Sequence, residues 1–125
     1  FPTRRSSDLR FHTMGAFKGQ PDVIGHFDTI VQYDDLLGVR RDWWAGPGMV
    51  VGEAVFAPDH DGTAEDDGWL LNFVFDRSSG TTDLVILDAE HVQDGPIARV
   101  KLPVQCSPQV HGWWVPGDYF PKPKA

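Results

Sequence analysis

Few side chains in this chain could do chemistry, and they are scattered. Five histidines are spread over 125 residues: His12, His26, His60, His91 and His111. None stands in a His-x-His or His-Glu-x-x-His spacing, so no complete metal site is readable within the chain. His111 is the strongest single candidate. A neutral imidazole is a good ligand for a divalent metal such as ferrous iron, and the adjacent Gly112 leaves room for backbone or ligand to come close. On the residues alone, a His packed among Val110, Trp113 and Trp114 is the simpler reading. Glu53 is the second candidate. Residues 50–57 are apolar apart from Gly52 and Glu53, and an ionised carboxylate in such a strand is costly unless paired or hydrogen-bonded. The alternative is a Glu exposed at a strand end.

The other polar groups carry less. His12 lies in a poorly patterned start, His26 matches no ligand motif, and His60 and His91 sit in acidic loops that read as solvated. Asp59, Asp61, Glu65, Asp66 and Asp67 fail the spacing of a calcium loop, and Gly62 and Gly68 among them fit surface turns. Cys106 has no His or Asn at a catalytic spacing and reads as inert. As the only cysteine it excludes an internal disulfide and fits a reducing, cytoplasmic compartment. The net charge of −7 argues against nucleic acid as a partner, because phosphate binding needs clustered Lys and Arg. No apolar run approaches the roughly 20 residues of a membrane helix. No leader peptide is readable, and a peripheral membrane position is left open.

The elements that must position these residues read as β-structure. Residues 10–25 are broken by Gly15, Gly19, Pro21 and Gly25 and suggest loop with at most one short strand. Residues 30–33 and 39–44 form a hairpin around Asp34-Asp35-Leu36-Leu37-Gly38, with Gly38 free to take positive φ. Residues 50–57 read as one buried strand. Residues 69–75, 82–87 and 97–102 follow as strands rich in branched and aromatic types, separated by short turns. Residues 110–115 read as a further strand, with His111 at its start. Trp69 reads as core; Trp113 and Trp114 could equally line an apolar tunnel. No amphipathic helix of useful length is present. The class is therefore all-β, built of antiparallel meanders. Pattern alone leaves a propeller and a sandwich both open.

Four segments carry a resemblance. Gly-Glu-Ala-Val-Phe-Ala-Pro at 52–58, Glu-Asp-Asp-Gly-Trp-Leu-Leu at 65–71, Asp-Leu-Val-Ile-Leu-Asp-Ala at 83–89 and Val-His-Gly-Trp-Trp-Val-Pro at 110–116 stand in the order seen near the C-terminus of the carotenoid cleavage oxygenases. The chain resembles that family from about Phe27 to Pro116. The resemblance implies a non-haem ferrous iron enzyme that splits conjugated carbon–carbon double bonds with dioxygen, on a seven-bladed β-propeller. Four His converge on the iron in that family, and only His111 matches one of them here. Glu53 matches the Glu that accepts the N–H of an iron-bound His, although which His it would hold cannot be read from sequence. The implied substrate is an apolar conjugated small molecule. Trp-Trp-Ala-Gly-Pro at 43–47 is similar to bacterial members that cleave lignin-derived stilbenes. Ala54, Val110 and Pro108-Gln109 depart from the family's usual residues near the site, which leaves carotenoid and stilbene substrates both open.

Family members are several times longer, so residues 10–125 are expected to form the last one or two blades of the propeller. Residues 1–9, Phe-Pro-Thr-Arg-Arg-Ser-Ser-Asp-Leu, match the translation of a common sequencing-adapter oligonucleotide and are expected to be foreign to the fold. Without them nine basic and seventeen acidic residues remain, a net charge of −8. The rival readings are a non-catalytic propeller used as a binding module, and a small free-standing β-domain beginning at Met14 with His111 in its core.

Overall fold

The computed structural model of the chain describes residues 9–19, 23, 25–107 and 109–124. The expected adapter-derived stretch, apart from Leu9, lies outside the described residues, as do Pro21 and Pro108. Regular structure among the described residues is β-strand, apart from two single 3-10 turns at Val92–Asp94 and Gly117–Tyr119.

Strands β1 (Phe11–Ala16), β2 (Thr29–Asp34) and β3 (Val39–Trp44) form an antiparallel three-stranded sheet with β2 at its centre. The central place explains why every β2 residue but Tyr33 is buried. The β2–β3 turn is the expected one. Gly38 takes φ +63°, and Asp34 Oδ1 accepts the Leu36 and Leu37 N–H groups at 3.1 and 3.2 Å, as an Asp at the head of a turn commonly does.

The second sheet contains β4 (Met49–Val51), β5 (Val55–Pro58), β6 (Gly68–Asp76), β7 (Thr81–Asp88) and β8 (Pro96–Lys101). Its order is β4-β6-β7-β8, with β5 also paired to β6. The antiparallel meander expected for this stretch is present, but the single strand expected over residues 50–57 is not. It is split at Gly52-Glu53-Ala54. Val51 lies opposite Val74 and Val55 opposite Leu71, so four steps along one chain face three along the other. The one extra residue is a bulge, which interrupts the ladder and re-aims the side chains around it.

The two sheets bury a common core. Ile30 of β2 packs with Val51, Leu70, Val74, Val85, Leu87, Ala89 and Val92, and Trp43 and Phe56 pack against that cluster. Strand alternation in β6 sends Leu70, Asn72 and Val74 inward and Leu71 and Phe73 to the opposite face. Trp69, expected in the core, therefore points away from it and is 37% exposed. Polar ties reinforce the join. Gln32, buried in β2, donates to the Ala89 carbonyl at 2.8 Å and accepts from Arg41 at 3.1 Å. Glu65 Oε2 accepts the Arg10 and Phe11 N–H groups at 2.7 and 3.0 Å.

The strand expected over residues 110–115 is absent, and His111 stands on irregular backbone. After β8 the chain turns back over the outer face of the second sheet. It is pinned there by Leu102 N–H to the Thr82 carbonyl at 3.0 Å. Cys106 N–H donates to Thr82 Oγ1 at 2.9 Å, and that hydroxyl donates to the Cys106 carbonyl at 3.3 Å. A segment lying across a face rather than along an edge has no ladder to join, whatever its β-propensity.

Asp34 generates a testable prediction. Its side chain is fully buried and takes a two-pronged bond from Arg10, at 2.7 Å from Nε and 2.6 Å from Nη2. That bond first, then the Leu37 and Leu36 N–H groups, lowers the carboxyl from 3.8 to about 2, against the upward push of burial. A depressed carboxyl contributes stability that is full above its unfolded pKa, about pH 4, and is lost as pH falls toward about 2. Asp34→Asn is expected to lower the melting temperature near neutrality and to flatten its decline on acidification. Acid limbs of equal steepness in the two proteins would contradict the assignment.

Candidate metal-binding site

The bulge carries Glu53 at its centre. Gly52 ahead of it is held from two directions: its N–H reaches the Phe73 carbonyl at 3.1 Å and Asn72 Oδ1 at 3.2 Å, and its carbonyl accepts from Asn72 Nδ2 at 2.7 Å. Glu53 N–H donates to the Gln109 carbonyl at 3.1 Å, which draws the returning C-terminal segment against the bulge. A Cβ on Gly52 would stand 3.2 Å from the Gln109 nitrogen, so any side chain there would push the returning segment back by a few tenths of an ångström. Farther along, a Cβ on Gly112 would stand 2.5 Å from Val55 Cγ2. Backbone at Gly112 thus rests on β5 more closely than a side chain would allow without a shift of Val55.

These contacts bring together the two residues singled out from sequence. His111 Nδ1 lies 3.0 Å from Glu53 Oε2, across 58 positions of chain. The imidazole is 87% exposed, so its other nitrogen, Nε2, is presented outward. Glu53 is not the buried carboxylate expected: its side chain is 42% exposed, because the bulge lifts it out of the ladder. An adjoining cavity of about 360 Å³ is lined by Glu53, Val55, Leu71, Phe73, His111 and Trp114, among others. Trp113 is 88% exposed and Trp114 42%.

The remaining histidines make no described hydrogen bond to Glu53 or His111, although His26 lines a cavity of about 500 Å³ together with Gly52, Glu53 and Gln109. His12 Nε2 is 3.0 Å from Asp35, and His60 Nδ1 is 2.9 Å from Asp61. His91 Nδ1 is 3.1 Å from Asp88, whose hydrogen bond raises the imidazole above its ordinary value. His26 Nδ1 is buried with no partner among the described residues. Two acidic groups come close enough to share an ion, Asp59-His60-Asp61 and Asp66-Asp67-Glu90, both near the loop between β5 and β6. A hydrogen bond to the Asp67 carboxylate raises the Glu90 carboxyl and, after the Ala64 N–H, lowers that of Asp67, as expected when two acids share a proton. Cys106 is half-buried, and its role here is through its backbone.

The donor set fits a metal in one respect. A carboxylate on Nδ1 fixes the imidazole tautomer and leaves Nε2 as the ligand atom, the usual arrangement around a metal-bound His. Among the described residues His60 and His91 also have a carboxylate at Nδ1, but from Asp61 and Asp88 close by in sequence, whereas the Glu53–His111 pair joins positions 58 apart. Sequence reasoning found both members of the pair and marked Gln109 as a departure near the site without a role, but missed Asn72 and Thr82. Asn72 did leave a signal, a polar residue at an inward position of an apolar strand. Gln109 acts through its backbone, to which composition is blind.

The model of the family described as Retinal pigment epithelial membrane protein matches residues 2–116. Lignostilbene-alpha,beta-dioxygenase isozyme III of Sphingomonas paucimobilis is 36% identical over 98 residues, covering 78% of this chain and 19% of the relative. Apocarotenoid-15,15'-oxygenase of Synechocystis is 40% identical over 68 residues, 54% of this chain and 14% of the relative. The structure of cobalt-substituted Synechocystis ACO superposes with a TM-score of 0.71 at 30% identity, covering 81% of this chain and 21% of that one. The chain thus spans about a fifth or less of these proteins. With the family model covering nearly all of it and the same strands superposing on a metal-bearing relative, the chain belongs to the retinal pigment epithelial membrane protein family, the carotenoid cleavage oxygenases.

Proposed function

We propose that this chain is the C-terminal part of a ferrous iron dioxygenase that cleaves a conjugated carbon–carbon double bond of an apolar substrate. One observation carries the reading: the 3.0 Å contact between Glu53 and His111. Both residues lie in segments that resemble the family's metal-site motifs. In this reading the two sheets are the last one or two blades of a seven-bladed propeller, and other His ligands lie in sequence outside the chain. Residues 1–9 are read as adapter-derived from their match to the oligonucleotide, although the family match begins at residue 2. Carotenoids or apocarotenoids are the first substrate class. The lignostilbene dioxygenase, matched over a longer stretch than the apocarotenoid oxygenase, favours stilbenes as the second.

The residues of this chain would act as follows. His111 binds the metal through Nε2. Glu53 accepts the Nδ1 proton, holds the ring in that tautomer and raises its basicity. The Gln109 carbonyl and the Gly112–Val55 contact set where the ring stands. Iron bound there supplies the activation of dioxygen. Leu71, Phe73 and Trp114 line the cavity beside the imidazole with apolar surface, which suits an apolar substrate. No described helix is long and apolar enough to cross a membrane, which says nothing of β-barrels.

Four substitutions in the complete enzyme test this. His111→Ala is expected to abolish iron loading and turnover; full iron occupancy in that variant rules out the ligand role. Glu53→Gln keeps a polar side chain but not the carboxylate, and is expected to weaken metal binding or activity by about 10–100-fold; unchanged values would remove Glu53 from the site. Gly112→Ala is expected to lower iron occupancy, and Val55→Ala in the same chain to restore it. Failure of that rescue would show that the Gly112–Val55 contact does not set the ring.

A further inference from the structure

Asn72 is out of place by the usual rules of a sheet. It lies at an inward position of β6, between Leu70 and Val74, with its side chain 1% exposed in an apolar layer. A carboxamide left bare there would lose its hydration with nothing in return. It is not bare, because it lies opposite the bulge. At the start of the bulge Gly52 N–H is shared between the Phe73 carbonyl of β6 at 3.1 Å and Asn72 Oδ1 at 3.2 Å, and Asn72 Nδ2 donates to the Gly52 carbonyl at 2.7 Å. One side chain thereby engages both backbone groups of one residue, as a ladder partner would.

The consequence reaches His111. With both groups of Gly52 held, the peptide entering Glu53 has one orientation. Glu53 N–H then meets the Gln109 carbonyl at 3.1 Å and Glu53 Oε2 meets His111 Nδ1 at 3.0 Å. The chain of contacts is Asn72, Gly52, Glu53, His111. Asn72 stays off the imidazole itself: it lies on the core side of β6, whereas Phe73 and Leu71 on the opposite face line the cavity beside His111.

We propose that Asn72 is a positioning residue for metal binding, acting through Gly52 on the carboxylate that orients His111. The proposal rests on the reading of His111 as a ligand. It predicts a particular kind of non-additivity, since a residue that acts only through Glu53 has nothing left to lose once Glu53 is disabled.

The experiment is a double-mutant cycle in the complete enzyme, with cobalt(II) as probe and its visible absorption as readout of affinity and ligand field. Asn72→Leu, close in size and without hydrogen bonds, is expected to weaken cobalt binding by about tenfold, at the lower end of the range for groups that orient ligands. Glu53→Gln alone should weaken it at least as much, and the double variant no more than Glu53→Gln alone. Losses that multiply in the double variant would mean that Asn72 supports the fold generally, and would overturn the proposal. So would an Asn72→Leu protein with the wild-type affinity and spectrum. If Asn72→Leu does not fold, Asn72→Ser, smaller and still able to hydrogen-bond, carries the same cycle with the same criteria. His111→Ala separates the two levels. Its loss of cobalt leaves the cycle to decide on Asn72, whereas wild-type affinity in it removes the ligand reading and the Asn72 proposal together.

Discussion

The extra residue between Val51 and Val55 is the constraint on which the site depends. A regular strand over residues 50–57 would pair every backbone group with β6 and alternate its side chains strictly between the two faces. Inserting one residue breaks that alternation at Gly52-Glu53-Ala54. The break creates two needs at once. Backbone groups released from the ladder need other partners, because unpaired groups in a half-buried strand are costly. The carboxylate of Glu53 needs a direction other than into the core. Gly52 N–H keeps a bond to the Phe73 carbonyl of β6, and Asn72 meets the first need by taking up the Gly52 carbonyl and sharing that N–H. The returning segment meets the second, with the Gln109 carbonyl on Glu53 N–H and the His111 ring on its carboxylate.

The rest of the fold holds that bulge still. Val51, immediately before it, is buried in the core shared by the two sheets, and its N–H donates to the Phe27 carbonyl at 2.8 Å. Phe56, just after it, packs on the same core. The returning segment is fixed well before it reaches Glu53, by the paired bonds between Thr82 and Cys106. Thr82 is 1% exposed although its strand neighbour Thr81 is not, because the segment itself covers it. Farther off, the Arg10–Asp34 pair and the Glu65 contacts tie β1 to the β2 turn and to the loop before β6. These supports lie on different strands, so the geometry at His111 is a property of both sheets rather than of one loop.

Much of this was legible in the sequence. The hairpin around Gly38 and the strands of the meander followed from turn residues and from runs of branched and aromatic side chains, which are local signals. Glu53 was legible as an anomaly, a carboxylate where periodicity asked for an apolar residue, and the resemblance gave that anomaly a role. Three readings were wrong for identifiable reasons. A one-residue bulge leaves composition unchanged, so residues 50–57 looked continuous. Residues 110–115 have strand-like composition, but the segment lies over a face. Trp69 was assigned to the core by residue type, whereas its position in the alternation of β6 sends it outward. The pairing of Glu53 with His111 could not be read at all, because it joins positions 58 apart through backbone contacts at Gln109 and Gly112 that no side-chain pattern announces.

The account turns on one hydrogen bond, and nitrogen NMR of isotope-labelled histidine in the metal-free complete enzyme observes it directly. The predicted spectrum for His111 is a neutral imidazole protonated on Nδ1, with that proton bonded to Glu53 and lost to exchange broadening in Glu53→Gln. An imidazole protonated on Nε2, or one averaging freely between tautomers in the unmodified protein, would contradict it, since Nε2 would then not be held ready to bind a metal.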